Sequence, residues 1–336
     1  MKKKVIAMLL ALGVIAATLA GCADTQSSSS ADDSAQTADS GSGEKYVIGM
    51  AIATYDDQWL SYMVDGMEAY AKENSDEFEF KFVDAQNDSS IQLGQIEEFI
   101  ASEVDAIVVN PVETESSAPI TDACKEAGIP VVSVNRPFAN QDDALSYVGG
   151  DSKLSGTLIA EYMAEQNDYK GKVVVLEGTL THEAAVLRTE GIEEAIAQYP
   201  DMEIVYKQTC DWQRAEAISV MEDFIQSGQE FDIVIGECDE IMIGACLAMD
   251  SAGIEYGVGK DVQVGGIDGT PDGLEYLKSG KSTGDVFQDA IGQAEGSMDA
   301  AMAGAKGETE DVQAENLIPY MLITPDEADE YLALWE

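Results

Sequence analysis

The sequence predicts an α/β protein of two lobes, each built on a parallel sheet with helices on both faces. After Glu44, short apolar segments typical of buried strands alternate with amphipathic stretches of helical length almost to the C-terminus. The predicted strands are more numerous than a single open sheet usually holds, which favours two sheets over one. The chain has 336 residues, 45% of them hydrophobic, and is long enough for two cores once its N-terminal region is set aside.

The predicted strands fall into two groups along the chain. The first group covers 46–53, 78–84, 106–110 and 131–135, and the second covers 172–177, 203–209, 233–237, 262–267 and 283–288. Gly128 and Gly228 end two of the helices between them. Within 264–273, a buried strand leads to Asp268, and the glycines and Pro271 that follow predict a turn into a helix beginning near Asp272.

The charge balance excludes two classes of partner. The chain has 18 Lys and Arg against 64 Asp and Glu, a formal net charge of -46 at pH 7. A surface of that sign repels the phosphates of nucleic acids and the headgroups of anionic lipids. We therefore expect neither nucleic-acid binding nor adsorption to a membrane through a basic patch.

The N-terminus has the pattern of a secretion signal. Lysines at 2–4 precede an apolar run over 5–20, and Leu19-Ala20-Gly21-Cys22 resembles the lipobox of bacterial lipoproteins. A transmembrane helix is the alternative, but the run is shorter than the roughly 20 residues that a span needs. We expect a signal peptide over 1–21, lipidation of Cys22 and a disordered tether over 22–44.

No signature of an enzyme or of a metal site is evident. The dinucleotide-binding, P-loop and Gly-x-Ser-x-Gly motifs do not occur at the expected places, and the single histidine, His182, has no nucleophile at a suitable turn. Cys124, Cys210, Cys238 and Cys246 lack paired spacing, so we expect no metal and no cofactor. A disulfide between Cys210 and Cys238 stays open, with free buried thiols favoured.

Polar and aromatic residues cluster where the predicted strands end. Ligands of open α/β sheets bind at the carboxyl ends of strands, which makes these residues binding candidates. They are Asp57, Trp59, Asn110, Asn135, Arg136, His182, Arg188, Trp212, Cys238, Asp268 and Gln288. Carboxylates, amides and arginines suit sugar hydroxyls, and aromatic rings pack on the C–H face of a pyranose. A structural role is the alternative for each, because an aspartate can cap a helix and a tryptophan can belong to the core.

From Tyr46 to about Trp335 the chain resembles the type I periplasmic sugar-binding proteins, the ribose-binding and galactose/glucose-binding group that serves ABC importers. The resemblance is carried, in order, by Ile48-Gly49-Met50, Tyr55-Asp56-Asp57-Gln58-Trp59, Val109-Asn110-Pro111, Gly128-Ile129-Pro130-Val131-Val132, Asn135-Arg136-Pro137, Gly149-Gly150-Asp151, Arg188-Thr189-Glu190-Gly191, Asp239-Glu240 and Ile267-Asp268-Gly269-Thr270-Pro271-Asp272-Gly273. It implies two similar doubly wound lobes joined by a three-crossing hinge, which closes over a sugar.

The resemblance also implies domain boundaries, residue roles and partners. The N-terminal lobe would comprise 45–153 and 289–322, and the C-terminal lobe 154–288 and 323–336. Trp59 and Trp212 would lie on opposite faces of the sugar ring, and the hydroxyls would be reached by Asp57, Asn135, His182, Arg188, Asp268 and Gln288. The expected protein is a lipid-anchored, extracytoplasmic, non-catalytic monomer that delivers a monosaccharide to an ABC permease.

The ligand preference depends on a few positions. Asp57 and His182 resemble the galactose/glucose branch, which favours a hexose of that type. Cys238 replaces an asparagine of the family and Ala184 an aspartate, while 166–171 is too short for the calcium loop of that branch. Because a thiol and a methyl bind hydroxyls poorly or not at all, a deoxy sugar, a pentose or an inositol stays open. A sensor that docks on a chemoreceptor or a histidine-kinase ectodomain is the alternative to transport.

Overall fold

The computed structural model describes residues 45–335 as two α/β lobes. The predicted signal peptide, Cys22 and the predicted tether lie outside the described residues. In chain order the elements are β1 (Tyr46–Ile52), α1 (Gln58–Glu73), β2 (Phe78–Asp84), α2 (Ser89–Ala101), β3 (Ala106–Val109), α3 (Ala118–Ala127), β4 (Val131–Val134), β5 (Ser146–Gly149), α4 (Ser152–Gln166), β6 (Lys170–Glu177), α5 (Glu183–Ile196), β7 (Asp201–Thr209), α6 (Arg214–Gln226), β8 (Ile233–Gly236), α7 (Asp239–Ala252), β9 (Gln263–Asp268), α8 (Pro271–Lys278), β10 (Gly284–Phe287), α9 (Ala290–Lys306), β11 (Glu315–Leu317), β12 (Met321–Ile323) and α10 (Ala328–Leu332).

The two sheets have matching strand orders. The first runs β11-β5-β4-β3-β1-β2 and the second β12-β10-β9-β8-β6-β7. Neighbouring strands are parallel throughout, except that β12 runs antiparallel to β10. The predicted fold class, two similar doubly wound lobes, is confirmed.

The strands are buried on both faces, which explains why they read as continuous apolar runs in the sequence. In β6, Val174 and Leu176 belong to one apolar cluster, whereas Val173 and Val175 belong to the cluster on the opposite face. This alternation follows from the two-residue period of a strand. In the part of the chain from 45 to 335, no helix is both long enough and apolar enough to cross a bilayer.

The chain passes between the lobes three times. The crossings lie between β5 and α4, between β10 and α9, and between β11 and β12, at 150–151, 288–289 and 318–320. Helix α4 packs on β9 and β10, and α9 packs on β1, β3 and β4. Two predicted boundaries differ in detail, because α4 already starts at Ser152 in the second lobe and Met321 and Leu322 pair with β10.

Nine strands match the predicted segments, whereas β5, β11 and β12 were not predicted. These three contain only three or four residues each, and two of them are Ser-Tyr-Val-Gly and Glu-Asn-Leu. Segments so short have no periodic pattern of their own. They join the sheets because the open edges of β4, β5 and β10 offer unpaired backbone groups to β5, β11 and β12, respectively.

Candidate ligand-binding cleft

A cleft between the lobes brings together the carboxyl ends of strands from both sheets. It has an empty volume of about 500 Å³. Its lining comprises Asp57, Gln58, Trp59, Leu60, Asn135 and Arg136 from the first lobe, His182, Ala184, Arg188, Trp212, Cys238, Glu240 and Asp268 from the second, and Gln288 at the second crossing. This is where open α/β sheets bind ligands.

Of the predicted binding residues, Asn110 is the one that does not line the cleft. It is fully buried behind Asn135, and its Nδ2 donates to the backbone oxygen of Val134 at 3.1 Å and to Oδ1 of Asn135 at 3.4 Å. Asn135 has a left-handed backbone with φ of 65°, a conformation that asparagine tolerates better than most residues. Asn110 therefore supports Asn135 instead of facing the cleft.

Gln58, Leu60 and Glu240 line the cleft but were not predicted. They lie in the first turns of α1 and α7, the helices that begin where strands β1 and β8 have ended. A helix that starts at the cleft places its whole first turn there. The position of these three residues within the first turn of a helix is therefore the sequence signal that could have identified them. Glu240 is also paired with Arg214, whose Nε donates to it at 2.9 Å.

Arg188 connects the second lobe to two of the crossings. Its Nη1 donates to the backbone oxygen of Glu237, and its Nη2 donates to Oε1 of Gln288 at 2.7 Å and to the hydroxyl of Tyr320 at 3.1 Å. Gln288 belongs to the second crossing and Tyr320 to the third. The buried Nε of Arg188 has no hydrogen-bond partner in the described protein. Arg188 is therefore fixed by the hinge and retains one free donor.

Asp268 ends β9 as a buried carboxylate. Its Oδ1 lies 3.6 Å from Nη1 of Arg188. Burial raises the pKa of this carboxyl well above its ordinary value, and the charge of Arg188 opposes that shift. Its φ of 131° is rare for any residue but glycine. Asp268 therefore offers acceptor oxygens from a strained and closely held backbone.

His182 and Trp212 form a hydrogen-bonded aromatic pair. The indole Nε1 of Trp212 donates to Nδ1 of His182 at 2.8 Å, and the rings are nearly parallel, at 18°. An indole N–H can only donate, so Nδ1 is unprotonated and the ring proton of His182 is on Nε2. Burial lowers the pKa of His182 to about 3, and Arg136 adds to the shift. His182 is the residue immediately before α5.

Trp59 uses its polar group in a similar way. Its Nε1 donates to the backbone oxygen of Gln288 at 3.4 Å. Both indole N–H groups that line the cleft thus point to protein acceptors. Toward a ligand the two tryptophans present apolar ring surface.

Cys238 and Ala184 contribute little hydrogen bonding to the cleft. Cys238 precedes α7 without capping it, and burial raises the pKa of its thiol well above the ordinary value. All four cysteines of the described chain are free and buried, so Cys210 and Cys238 are not paired. A neutral thiol is a weak partner for a hydroxyl, and a methyl is none.

The cleft is equipped for binding a neutral polar molecule. Its thiol is held neutral, and its imidazole already uses Nδ1 to accept from Trp212. Between residues 45 and 335 no three His, Cys, Asp or Glu side chains converge as metal ligands. What the cleft provides is hydrogen-bond donors, acceptors and two ring surfaces.

Comparisons with known proteins give the family. A family model described as periplasmic binding protein domain matches residues 48–309. A protein of Rhizobium meliloti named for rhizopine binding is 40% identical over 282 residues, which are 82% of this chain and 89% of that protein. The xylitol-binding protein of Mycolicibacterium smegmatis is 34% identical over 282 residues, which are 83% of this chain and 78% of that protein. The crystal structure of an ABC transporter solute-binding protein from Bacillus halodurans C-125 with bound myo-inositol superposes with a TM-score of 0.81 at 42% identity, covering 88% of this chain and 99% of that one.

The ligands named for these three proteins are rhizopine, xylitol and myo-inositol. Galactose and glucose are not among them, so the predicted preference for a galactose/glucose-like hexose receives no support. The matched residues extend over both lobes and the cleft between them. The chain belongs to the type I periplasmic sugar-binding proteins, the extracytoplasmic substrate-binding components of ABC importers, which are not enzymes.

Proposed function

We propose that this protein captures a cyclitol of the myo-inositol class and delivers it to an ABC permease. The observation that carries the proposal is the distribution of polar groups around the cleft. Partners for hydroxyls come from both lobes, whereas Cys238 and Ala184 contribute no strong partner to the lining. A cyclitol carries its hydroxyls directly on the ring and has no hydroxymethyl arm that requires a further polar site.

The donors and acceptors match ring hydroxyls, each of which donates one hydrogen bond and accepts others. Asp57 and Asp268 provide acceptor oxygens. His182 provides Nε2–H, and Gln288 provides its amide nitrogen because its Oε1 already accepts from Arg188. Arg188 adds its unpartnered Nε. Donors and acceptors are therefore both available, as a ring of hydroxyls requires.

The aromatic surfaces suit a carbocycle with C–H groups on both faces. Trp59 belongs to the first lobe and Trp212 to the second, so closure brings ring surface from both sides. The family resemblance led to the same arrangement for a pyranose. A cyclitol fits the same space and needs no ring-oxygen partner.

The ligand assignment departs from the hexose favoured by the sequence. That preference depended on Asp57 and His182, but His182 is a neutral donor, which suits any hydroxyl. The myo-inositol complex of the 42% identical protein supports the inositol alternative. Delivery to a permease, a lipid anchor on Cys22 and a monomeric state complete the proposal.

Titration calorimetry with the protein lacking residues 1–22 tests the ligand. We expect myo-inositol to bind at least about tenfold more tightly than D-galactose, D-glucose or D-ribose, since the hexoses bring an arm and the pentose lacks a ring hydroxyl that the cleft satisfies. Tighter binding of a hexose or of ribose would refute the cyclitol assignment. Uptake of labelled myo-inositol by cells that express the cognate permease, with and without this protein, tests delivery.

A further inference from the structure

Two fully buried aspartates lie behind the cleft carboxylate Asp268. Asp239 is the first residue of α7, and Asp285 lies within β10. Oδ1 of Asp239 and both carboxyl oxygens of Asp285 find no donor in the described protein. The two carboxyls are nevertheless close enough that a proton on one would form a hydrogen bond to the other. Two adjacent buried carboxyls cannot both ionise, so one proton between them accounts for the contact.

The backbone leaves space for this pair. Gly266 pairs with Asp285 across the sheet, and a Cβ at Gly266 would lie 3.0 Å from Oδ1 of Asp239 and 3.4 Å from Oδ2 of Asp285. A Cβ at Gly273 would collide with the carboxyl of Asp239. Two glycines thus form the cradle in which the carboxyls meet. No third ligand joins them in residues 45–335, so a metal ion would lack the ligands it needs, whereas a proton needs only the pair.

Asp239 holds the turn that carries Asp268. Its Oδ2 accepts from the backbone N–H of Thr270 at 2.7 Å and from the Thr270 hydroxyl at 2.6 Å. The backbone N–H of Asp239 lies close to the Asp268 carboxyl and opposes the rise of its pKa. The unusual φ of Asp268 needs such support, because a strained backbone persists only where its surroundings fix it.

We infer that Asp239 and Asp285 share one proton and that this protonated pair positions Asp268 for its ligand, so that loss of the proton weakens capture. Neither aspartate reaches the cleft lining, and both act through Asp268. The inference rests on the proposed polyol-binding function of the cleft.

The surrounding charges favour a bound proton over a second negative charge. Glu240 on α7 and Asp268 on β9 are the charged neighbours of the pair, Arg188 from α5 and Asp57 at the start of α1 act on Asp268, and Arg214 from α6 is held by Glu240 and by Asp272 on α8. Arg188 is next to Asp268, and Arg214 pairs with Glu240 and Asp272, so neither arginine neutralises the pair. Tyr162 of α4 packs at Gly284, the neighbour of Asp285.

Burial raises the pKa of Asp285 well above its ordinary value, and the neighbouring carboxyl of Asp239 adds to the shift. The folded state therefore keeps a proton that the unfolded chain releases near pH 4. Stability from this proton is complete below that pH and is lost as the pH rises toward the pKa of the folded pair. Loss of the proton creates two adjacent charges beneath the Thr270 turn.

The test compares the wild type with Asp285→Asn, whose amide donates to Asp239 without ionising. At pH 6, calorimetry should give the same affinity for myo-inositol in the wild type and in Asp285→Asn. From pH 6 to pH 9, the affinity of the wild type should fall about tenfold more than that of the variant, the factor that corresponds to one pKa unit. Asp285→Ala, which leaves Oδ1 of Asp239 without a donor, should bind at least about tenfold more weakly at pH 6. Parallel pH profiles of the wild type and Asp285→Asn would overturn the inference.

Asp272→Asn is the matched control, because it removes an exposed carboxylate near the same turn and should keep the wild-type profile. A ligand-free measurement separates this inference from the proposed function. In urea unfolding, Asp285→Asn should become more stable relative to the wild type as the pH rises from 6 to 9. If the wild type does not bind myo-inositol, the cyclitol assignment fails while this unfolding difference still decides the shared proton, and an unchanged difference would refute it.

Discussion

The indole of Trp212 donates its only hydrogen bond to Nδ1 of His182, at 2.8 Å. This contact fixes the tautomer of the imidazole and aims a second donor, Nε2–H, away from Trp212. It also joins the loop after β7 to the residue before α5. The two rings therefore behave as one preorganised wall of the cleft.

His182 should remain neutral throughout the physiological pH range. Burial and the charge of Arg136 lower its pKa to about 3, below the ordinary value near 6.5. Because the chain has a single histidine, its imidazole proton signals in NMR spectra are unambiguous. We expect no titration midpoint between pH 5 and 8 in the folded protein, and a midpoint near 6.5 in urea.

The sign of the linked stability effect follows from the same shift. In the unfolded chain His182 binds a proton near pH 6.5, whereas in the folded protein it stays unprotonated down to about pH 3. Its protonation therefore favours the unfolded state increasingly as the pH falls from about 6.5 toward 3. His182→Gln should remove that part of the acid sensitivity. A folded-state midpoint above pH 5 would contradict the buried, neutral histidine.

Trp212 should report ligand binding by its fluorescence. Trp212→Ala removes ring surface from the cleft and the donor to His182, so we expect affinity for the ligand to fall by about tenfold or more. The ligand-induced fluorescence change should also fall, to the part contributed by Trp59. Trp335→Phe is the control, since Trp335 packs against Tyr62 and edge-on against Phe287, outside the cleft lining. If Trp212→Ala kept the wild-type affinity, Trp212 would not contact the ligand.

The sequence predicted most of the cleft because its signal is local. A strand that ends in a polar residue, as at Asp268, marks the carboxyl edge of a sheet whatever the rest of the chain does. Asn110 is also a polar residue at the end of a strand, but its side chain lies behind Asn135. Whether such a side chain lines the cleft or lies behind it depends on the pairing of β3 with β4.

The carboxyl pair behind the cleft could not be predicted in this way. Asp285 lies inside a strand and Asp239 in a first helical turn, where a capping role is the ordinary expectation. Their contact depends on the register of β9 and β10 and on the missing side chain at Gly266. Strands β11 and β12 escaped prediction for a related reason, because their pairing partners, rather than their own residues, make them strands.

Glu237 is a further buried carboxyl that should make the free energy of unfolding depend on pH. Burial raises the pKa of Glu237 to about 8, and its contacts with Thr189 and Gly178 oppose the shift. The Thr189 hydroxyl contacts both Glu237 and Glu177 but has one hydrogen to donate, so a proton on Glu237 completes the chain. The folded state holds this proton, and its stability should fall as the pH rises from about 4.5 to about 8.

Glu237→Gln should remove this loss, since the amide can donate to Thr189 and its oxygen can accept from Gly178. The difference in free energy of unfolding between the variant and the wild type should be about 4 kcal/mol more favourable to the variant at pH 9 than at pH 5, from about 1.4 kcal/mol for each pH unit up to the folded pKa. Urea unfolding at both pH values measures it. Glu193→Gln, which alters an exposed pair with Lys207, should change stability by less than about 1 kcal/mol at either pH. A Glu237→Gln effect independent of pH would place the proton elsewhere.

The strong negative charge should make stability rise with salt. With a formal net charge of -46, compaction brings many like charges within about 10 Å of one another, the screening distance at 0.1 M salt. Raising NaCl from about 20 mM to about 500 mM should therefore raise Tm, by roughly 5 °C or more. KCl at equal concentration should act alike, because screening does not distinguish the two cations. A Tm that falls with salt would mean that the ion pairs of the few lysines and arginines outweigh the repulsion among the carboxylates.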